Sequence, residues 1–255
     1  MPTRRLLVPA GLLFACVAVA APDPASPPLP AGLIPATFRM FIVSDKRFEP
    51  LKDAEGKFLK GPGGKEVPNP KNREGKIHCL VCEYGLNPVV AVFIRASAKQ
   101  VGPADGLGKL VKGLDALIPK YRADKLAAFV AFLNLEGGTK TVTIKQKRAD
   151  GSEFEEKVEQ DLEYPDDEKR DVYAEEVRDA VNGLEVRNVP FGLAPDKSKS
   201  VAAWAVKDTD EVTVIFYNRM RQVGTPWRFA RIADLTDEKK DEILRAVQNA
   251  LSGGR

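Results

Sequence analysis

The sequence predicts an α/β fold in which a mixed sheet is covered by helices on both faces and interrupted by a β-hairpin insertion. Three observations predict it. Pro88 to Arg95 (PVVAVFIR) and Lys125 to Leu133 (KLAAFVAFL) are continuous apolar runs of the kind buried on both faces of a sheet. Between them Leu107, Leu110, Val111, Leu114, Leu117 and Ile118 recur at three- and four-residue spacing, so the three segments read as a strand-helix-strand unit. Near the end, Glu211 to Tyr217 (EVTVIFY) and Met220 to Phe229 read as a hairpin, followed by a closing amphipathic helix through Ile243, Leu244, Val247 and Leu251.

The remaining elements follow in chain order. Phe38 to Val43 (FRMFIV) reads as a first strand. Glu49 to Lys76 is rich in Lys, Gly, Pro and Asn and reads as a long surface loop with a small hairpin around Gly61 to Gly64. Its Gly-Lys pairs do not make a phosphate loop, because GxxxxGK[ST] is absent in every register. The 107–118 helix should end or bend at Pro119. Residues 140 to 161 alternate around Val142, Ile144, Phe154 and Val158 across Asp150-Gly151, a hairpin signal, which places an insertion at about residues 136–166. The acidic run EYPDDEKRD lacks the ligand spacing of a calcium loop and reads as a helix start. Val172, Tyr173, Val177, Ala180 and Val181 continue that helix to Asn182-Gly183. Leu184 to Val189 reads as a short strand and Ser198 to Val206 as a short helix.

Composition bounds the chemistry. The chain has 255 residues, 44% hydrophobic and 29% charged, with a formal net charge of +3. That is enough for one domain of ordinary core and shows no basic stripe for a phosphate backbone, so nucleic acid is not an expected partner. A single histidine, His78, removes every scheme that needs two, including the HExxH zinc helix. No cofactor motif is present.

Residues 1–20 carry two arginines, an apolar stretch and Ala18-Val19-Ala20, the pattern of a secretory signal cleaved after Ala20. A lipoprotein signal with Cys16 as the lipidated residue is the lesser alternative. Residues 21–36 follow as a Pro-rich linker, and the folded domain spans 37–252. The expectation is export to the periplasm, envelope or medium, with no stable membrane span after cleavage and with an envelope protein or small molecule as partner.

Cleavage leaves two cysteines, Cys79 and Cys82, in a compartment that permits disulfides. They form a CxxC, read in three ways: a local disulfide fixing the loop into Pro88, a working dithiol modulated by His78, or a weak metal site formed by His78, Cys79 and Cys82 that lacks a fourth ligand. For the dithiol, an imidazolium at His78 would stabilise a thiolate. Against it, Glu83 adds negative charge and no helix start is evident at Cys79. The four arginines Arg219, Arg221, Arg228 and Arg231 read as solvated charge, and Trp204 and Trp227 as packing.

The order of elements, with PVVAVFIR as central strand and VPFGLAPDKSKSVAAWAV ahead of EVTVIFYN, resembles the thioredoxin-like fold in its redoxin and peroxiredoxin branch. The stretch IHCLVCEYGLNPVVAVFIR also resembles a group of exported redoxin-like proteins of planctomycete type. The resemblance implies a reactive cysteine just after the central strand, where the next helix begins, and a proline directly before EVTVIFY. Arg95 to Leu110 contains no cysteine, and Lys207-Asp208-Thr209-Asp210 contains no proline. The CxxC lies before the central strand, which implies the opposite end of the sheet from the usual site. The expected function is therefore a non-catalytic binding or structural module, with a thiol-disulfide oxidoreductase using the displaced CxxC as the alternative.

Overall fold

The computed structural model describes residues 34, 37–48, 50–135, 138–147, 152–162 and 167–252. The expected signal and linker, except Ile34, lie outside them, as do the Asp150-Gly151 turn and residues 163–166. The strands are β1 (Arg39–Ser44), β2 (Ile77–Cys79), β3 (Val89–Ile94), β4 (Ala127–Leu135), β5 (Gly138–Lys147), β6 (Glu153–Leu162), β7 (Phe191–Pro195), β8 (Val212–Asn218), β9 (Arg221–Gln222) and β10 (Trp227–Phe229). The helices are α1 (Leu80–Tyr84), α2 (Gly106–Lys120), α3 (Asp167–Leu184), α4 (Lys199–Ala203) and α5 (Asp237–Ser252).

One sheet runs β10-β8-β3-β4-β7-β1-β2, with β9 paired to β8. β3, β4 and β7 are parallel, while β8 and β1 run against their neighbours. This mixed sheet, with a strand-helix-strand unit at its centre and a terminal hairpin and helix, has the topology expected of a thioredoxin-like fold. β5 and β6 pair only with each other, in register from Gly138↔Leu162 to Lys147↔Glu153.

Alternation along the strands sorts the core into two layers. Val90, Val92 and Ile94 of β3 face Leu107, Leu110 and Leu114 of α2, Val177 of α3 and Ile243 of α5. Val89, Ala91 and Phe93 face the opposite way, into a cluster with Leu80, Val81 and Tyr84 of α1, Val201 of α4 and Trp204 at its C-terminal end. Helices thus cover both faces. The second layer is aromatic: Phe38 meets Phe93 edge-on at 5.2 Å between ring centroids, and Trp204 lies 5.3 Å from Phe93 and 5.8 Å from Tyr217.

α2 and α5 meet closely. A Cβ on Gly113 of α2 would fall 2.5 Å from a Leu244 methyl of α5, and one on Gly106 would run into the Leu235 carbonyl oxygen just ahead of α5.

Three expectations need correction. The segment 184–189 is not a strand. α3 runs on to Leu184, Glu185 takes a positive φ of 56°, and the Asp115 carboxylate accepts from the Arg187 and Asn188 N–H groups at 2.9 and 2.5 Å. Those donors serve a side chain on α2 instead of a ladder, and the strand begins after Pro190. The 49–76 loop holds more order than expected. Leu51, Leu59 and Val67 exchange backbone bonds (Leu59 N–H to Leu51 O at 2.8 Å, Val67 N–H to Leu59 O at 2.9 Å), forming a small meander. Third, the sequence reading missed β2 and α1, the elements that carry the CxxC.

Candidate functional site

α1 has only five residues, too few to persist alone. It forms because Leu80, Val81 and Tyr84 are driven onto the sheet face, and because both ends are closed. Cys79 is its N-cap, with its sulfur accepting the Cys82 N–H at 3.1 Å. Gly85, at φ 56°, donates its N–H to Val81 O and ends it. Residues Leu80, Val81 and Tyr84 at i, i+1 and i+4, followed by Gly85, were the sequence signal for this helix. The expectation of no helix start at Cys79 is therefore corrected.

Cys79 and Cys82 are joined in a disulfide. Cys82 is exposed, whereas Cys79 is half-buried and packs against the aromatic layer. In the β1–β2 ladder Cys79 faces Arg39, and two residues on, Phe41 faces Leu193 of β7. That register puts the disulfide on the carboxyl side of β7 and corrects the expected placement at the opposite end of the sheet. What separates it from the carboxyl end of β3 is lateral: β4, β7 and β1 lie between.

The charges around α1 form one network. Glu83 takes Arg73 Nε at 2.7 Å and lies 3.0 Å from His78 Nε2, with Arg47 at 3.9 Å. Arg73 Nε also lies 3.1 Å from His78 Nε2. The single Nε–H of Arg73 therefore lies within reach of both the Glu83 carboxylate and the His78 ring, and the three side chains form one cluster. Arg47 donates to both oxygens of fully buried Asp45 at 2.6 and 2.7 Å, and to the Tyr84 hydroxyl at 2.6 Å. Burial opposes the Arg47 charge, but the bond to Asp45 together with the charges of Tyr84, Asp45 and Glu83 outweighs it, and the Arg47 pKa is raised. Burial likewise pushes the Tyr84 hydroxyl above its ordinary range. Both arginines stack on Phe48, at 5.3 and 4.8 Å from the ring centroid.

This network changes the reading of two residues. His78, expected to modulate a thiolate, directs Nε2 to Glu83. Glu83, expected to add a destabilising charge beside the cysteines, is neutralised by Arg73. As for a metal site, both sulfurs are committed to each other, and no group of three or more His, Cys, Asp or Glu suited to a metal occurs among the described residues.

At the carboxyl end of β3, where the resemblance places a reactive cysteine, other side chains fill the ground. Arg95 Nε meets Asp196 at 2.6 Å and its guanidinium also bonds the Lys207 carbonyl, tying the turn after β7 to the loop before β8. Asp105 caps α2, accepting from the Gly108 N–H at 2.7 Å and also from the Gly102 N–H. A carboxylate thus takes the donors that would hold a thiolate there. Arg228 and Arg231 are engaged by Asp210 at 3.0 Å and Asp234 at 2.7 Å. Trp204 is core, and Trp227 donates to Glu242 at 3.1 Å.

Among the described residues no helix is long and apolar enough to cross a membrane. No family model matches the chain, and comparison with curated proteins returns no match. Solved structures similar to it include an uncharacterized conserved protein from Geobacillus kaustophilus, at 14% identity over 88% of this chain and 83% of that one, with a TM-score of 0.45. A Bacteroides thetaiotaomicron protein, proposed to be a protein disulfide isomerase, matches at 12% identity over 88% and 91%, with a TM-score of 0.44. The bacterioferritin comigratory protein of Xanthomonas campestris matches at 12% over 69% and 87%, with a TM-score of 0.38. Likeness at this level carries no residue's role from one chain to another.

Proposed function

We propose that this chain is an exported thioredoxin-like protein whose ordinary redox position is closed and whose thiol-disulfide exchange centre is the displaced Cys79–Cys82 pair. The observation that carries the reading is the disulfide at the first turn of α1, with Cys82 exposed and Cys79 accepting a backbone N–H. Both arguments that the sequence raised against a dithiol lose their force, since a helix does start at Cys79 and Glu83 is paired. A disulfide closing so short a loop restrains the unfolded chain by only about 2 kcal/mol, the low end for such bonds, so stapling alone is a modest return.

A second reading has its own observation. Asp105 and Arg95 occupy the ordinary site, which favours a non-catalytic binding or structural module with an envelope protein or small molecule as partner. The reduction potential of the pair, measured with insulin reduction and peroxide consumption alongside, separates the two. Exchange predicts a potential of roughly −120 to −270 mV and insulin turnover lost in Cys79→Ser and Cys82→Ser. A potential below about −300 mV without turnover establishes the module. Peroxide consumption is expected in neither case. Export predicts an N-terminus at Ala21 on envelope or secreted material; an intact Met1 there would oppose it.

A further inference from the structure

The two sulfurs of the disulfide sit in different surroundings, and we infer that exchange enters at Cys82, the second cysteine of the motif, with Cys79 as the leaving sulfur. This rests on the exchange reading above and adds which atom is attacked. A thiolate must approach a disulfide sulfur from outside, in line with the S–S bond, so access selects the target. Cys82 is exposed on the first turn of α1, whereas Cys79 is half-buried between the end of β2 and the aromatic layer.

Departure is prepared at the other sulfur. Cys79 Sγ already accepts the Cys82 N–H at 3.1 Å, and this bond strengthens as negative charge develops on the sulfur, without movement of the backbone. The neighbouring Glu83 would repel an incoming anion, but Arg73 at 2.7 Å and His78 at 3.0 Å hold its carboxylate.

The chemistry balances with thiols of the compartment as reductant. A thiolate R–S⁻ bonds to Cys82 Sγ, the Cys79–Cys82 bond breaks, and its electron pair leaves on Cys79. A second thiolate then attacks the R sulfur, forming R–S–S–R and releasing Cys82 as thiolate, so two thiols are oxidised and one disulfide is reduced. In the reverse direction Cys82 attacks a substrate disulfide and Cys79 resolves the mixed disulfide.

The test uses the oxidised wild-type protein. It is exposed briefly to glutathione, quenched in acid and alkylated with N-ethylmaleimide, and the tryptic peptide 77–95 is sequenced by fragmentation mass spectrometry. Glutathione on Cys82 with maleimide on Cys79 is expected in at least about tenfold excess over the opposite isomer. An equal or larger amount of the opposite isomer overturns the assignment. As a second measurement, the free thiol of Cys79→Ser should react with an aromatic disulfide reagent at least about ten times faster than that of Cys82→Ser. Equal rates overturn the assignment as well. A Cys82 adduct without insulin turnover keeps the polarity and removes the exchange function, whereas no adduct at any glutathione concentration removes both.

Discussion

Replacing Asp45 with alanine tests whether the charge network holds α1 and its disulfide in place. Asp45 is 0% exposed and receives two bonds from Arg47, at 2.6 and 2.7 Å, with Arg73 at 3.7 Å. Removing one partner of a buried pair costs about 3–5 kcal/mol, because the charge left behind is neither solvated nor matched. Arg47 keeps the Tyr84 hydroxyl at 2.6 Å and Glu83 at 3.9 Å, so the lower end applies, about 3 kcal/mol. With a urea m value near 2 kcal/mol/M, the unfolding midpoint should fall by about 1.5 M. The double variant Asp45→Leu with Arg47→Met should recover most of the loss, since a buried pair replaced by apolar groups of similar volume is close to neutral. Arg47 also anchors the C-terminal end of α1 through Tyr84, so glutathione should reduce Cys79–Cys82 faster in Asp45→Ala than in wild type. A loss under about 1 kcal/mol, or a double variant no more stable than the single one, would refute the reasoning.

Two further perturbations give expectations of opposite kinds. Burial raises the pKa of both Tyr84 and Tyr217, so these groups contribute stability that is intact below the unfolded tyrosine value near 10 and is lost as pH rises through it toward the folded values. With two protons retained in the native state and none in the unfolded one, stability should fall by about 2.7 kcal/mol per pH unit in that window. Urea midpoints followed from pH 9 to 11.5 should flatten in Tyr84→Phe/Tyr217→Phe, and parallel curves would count against burial as the cause. Among the glycines, Gly106→Ala should destabilise by about 1–3 kcal/mol, because its Cβ meets the Leu235 carbonyl. Gly183→Ala in α3, which meets nothing within 4 Å, should stabilise by about 0.5–1 kcal/mol through helix propensity. Thermal melts of the two variants shifting in the same direction would sink that contrast.

The sequence by itself determined the elements whose signal is local. β3 and β4 are apolar runs long enough to declare burial on both faces, β8 was readable as one arm of a hairpin, and the α2 stripe at three- and four-residue spacing can serve only a helix laid on a sheet. The hairpin strands β5 and β6 were likewise readable from alternation, as was the lack of a cysteine after β3. Tertiary structure decided what depends on partners distant in the chain. Arg187 and Asn188 could have joined a ladder, but Asp115, 72 and 73 residues away, takes their N–H groups, and the strand starts later. α1 is the clearest case: five residues carry no stability of their own, so only the sheet face under Leu80, Val81 and Tyr84 makes Cys79 a helix cap. The meaning of Glu83 changed for the same reason. Its charge counts against a thiolate when read along the chain, and ceases to once folding delivers Arg73 and His78 to its carboxylate, because paired charges cancel at a distance that sequence spacing does not encode.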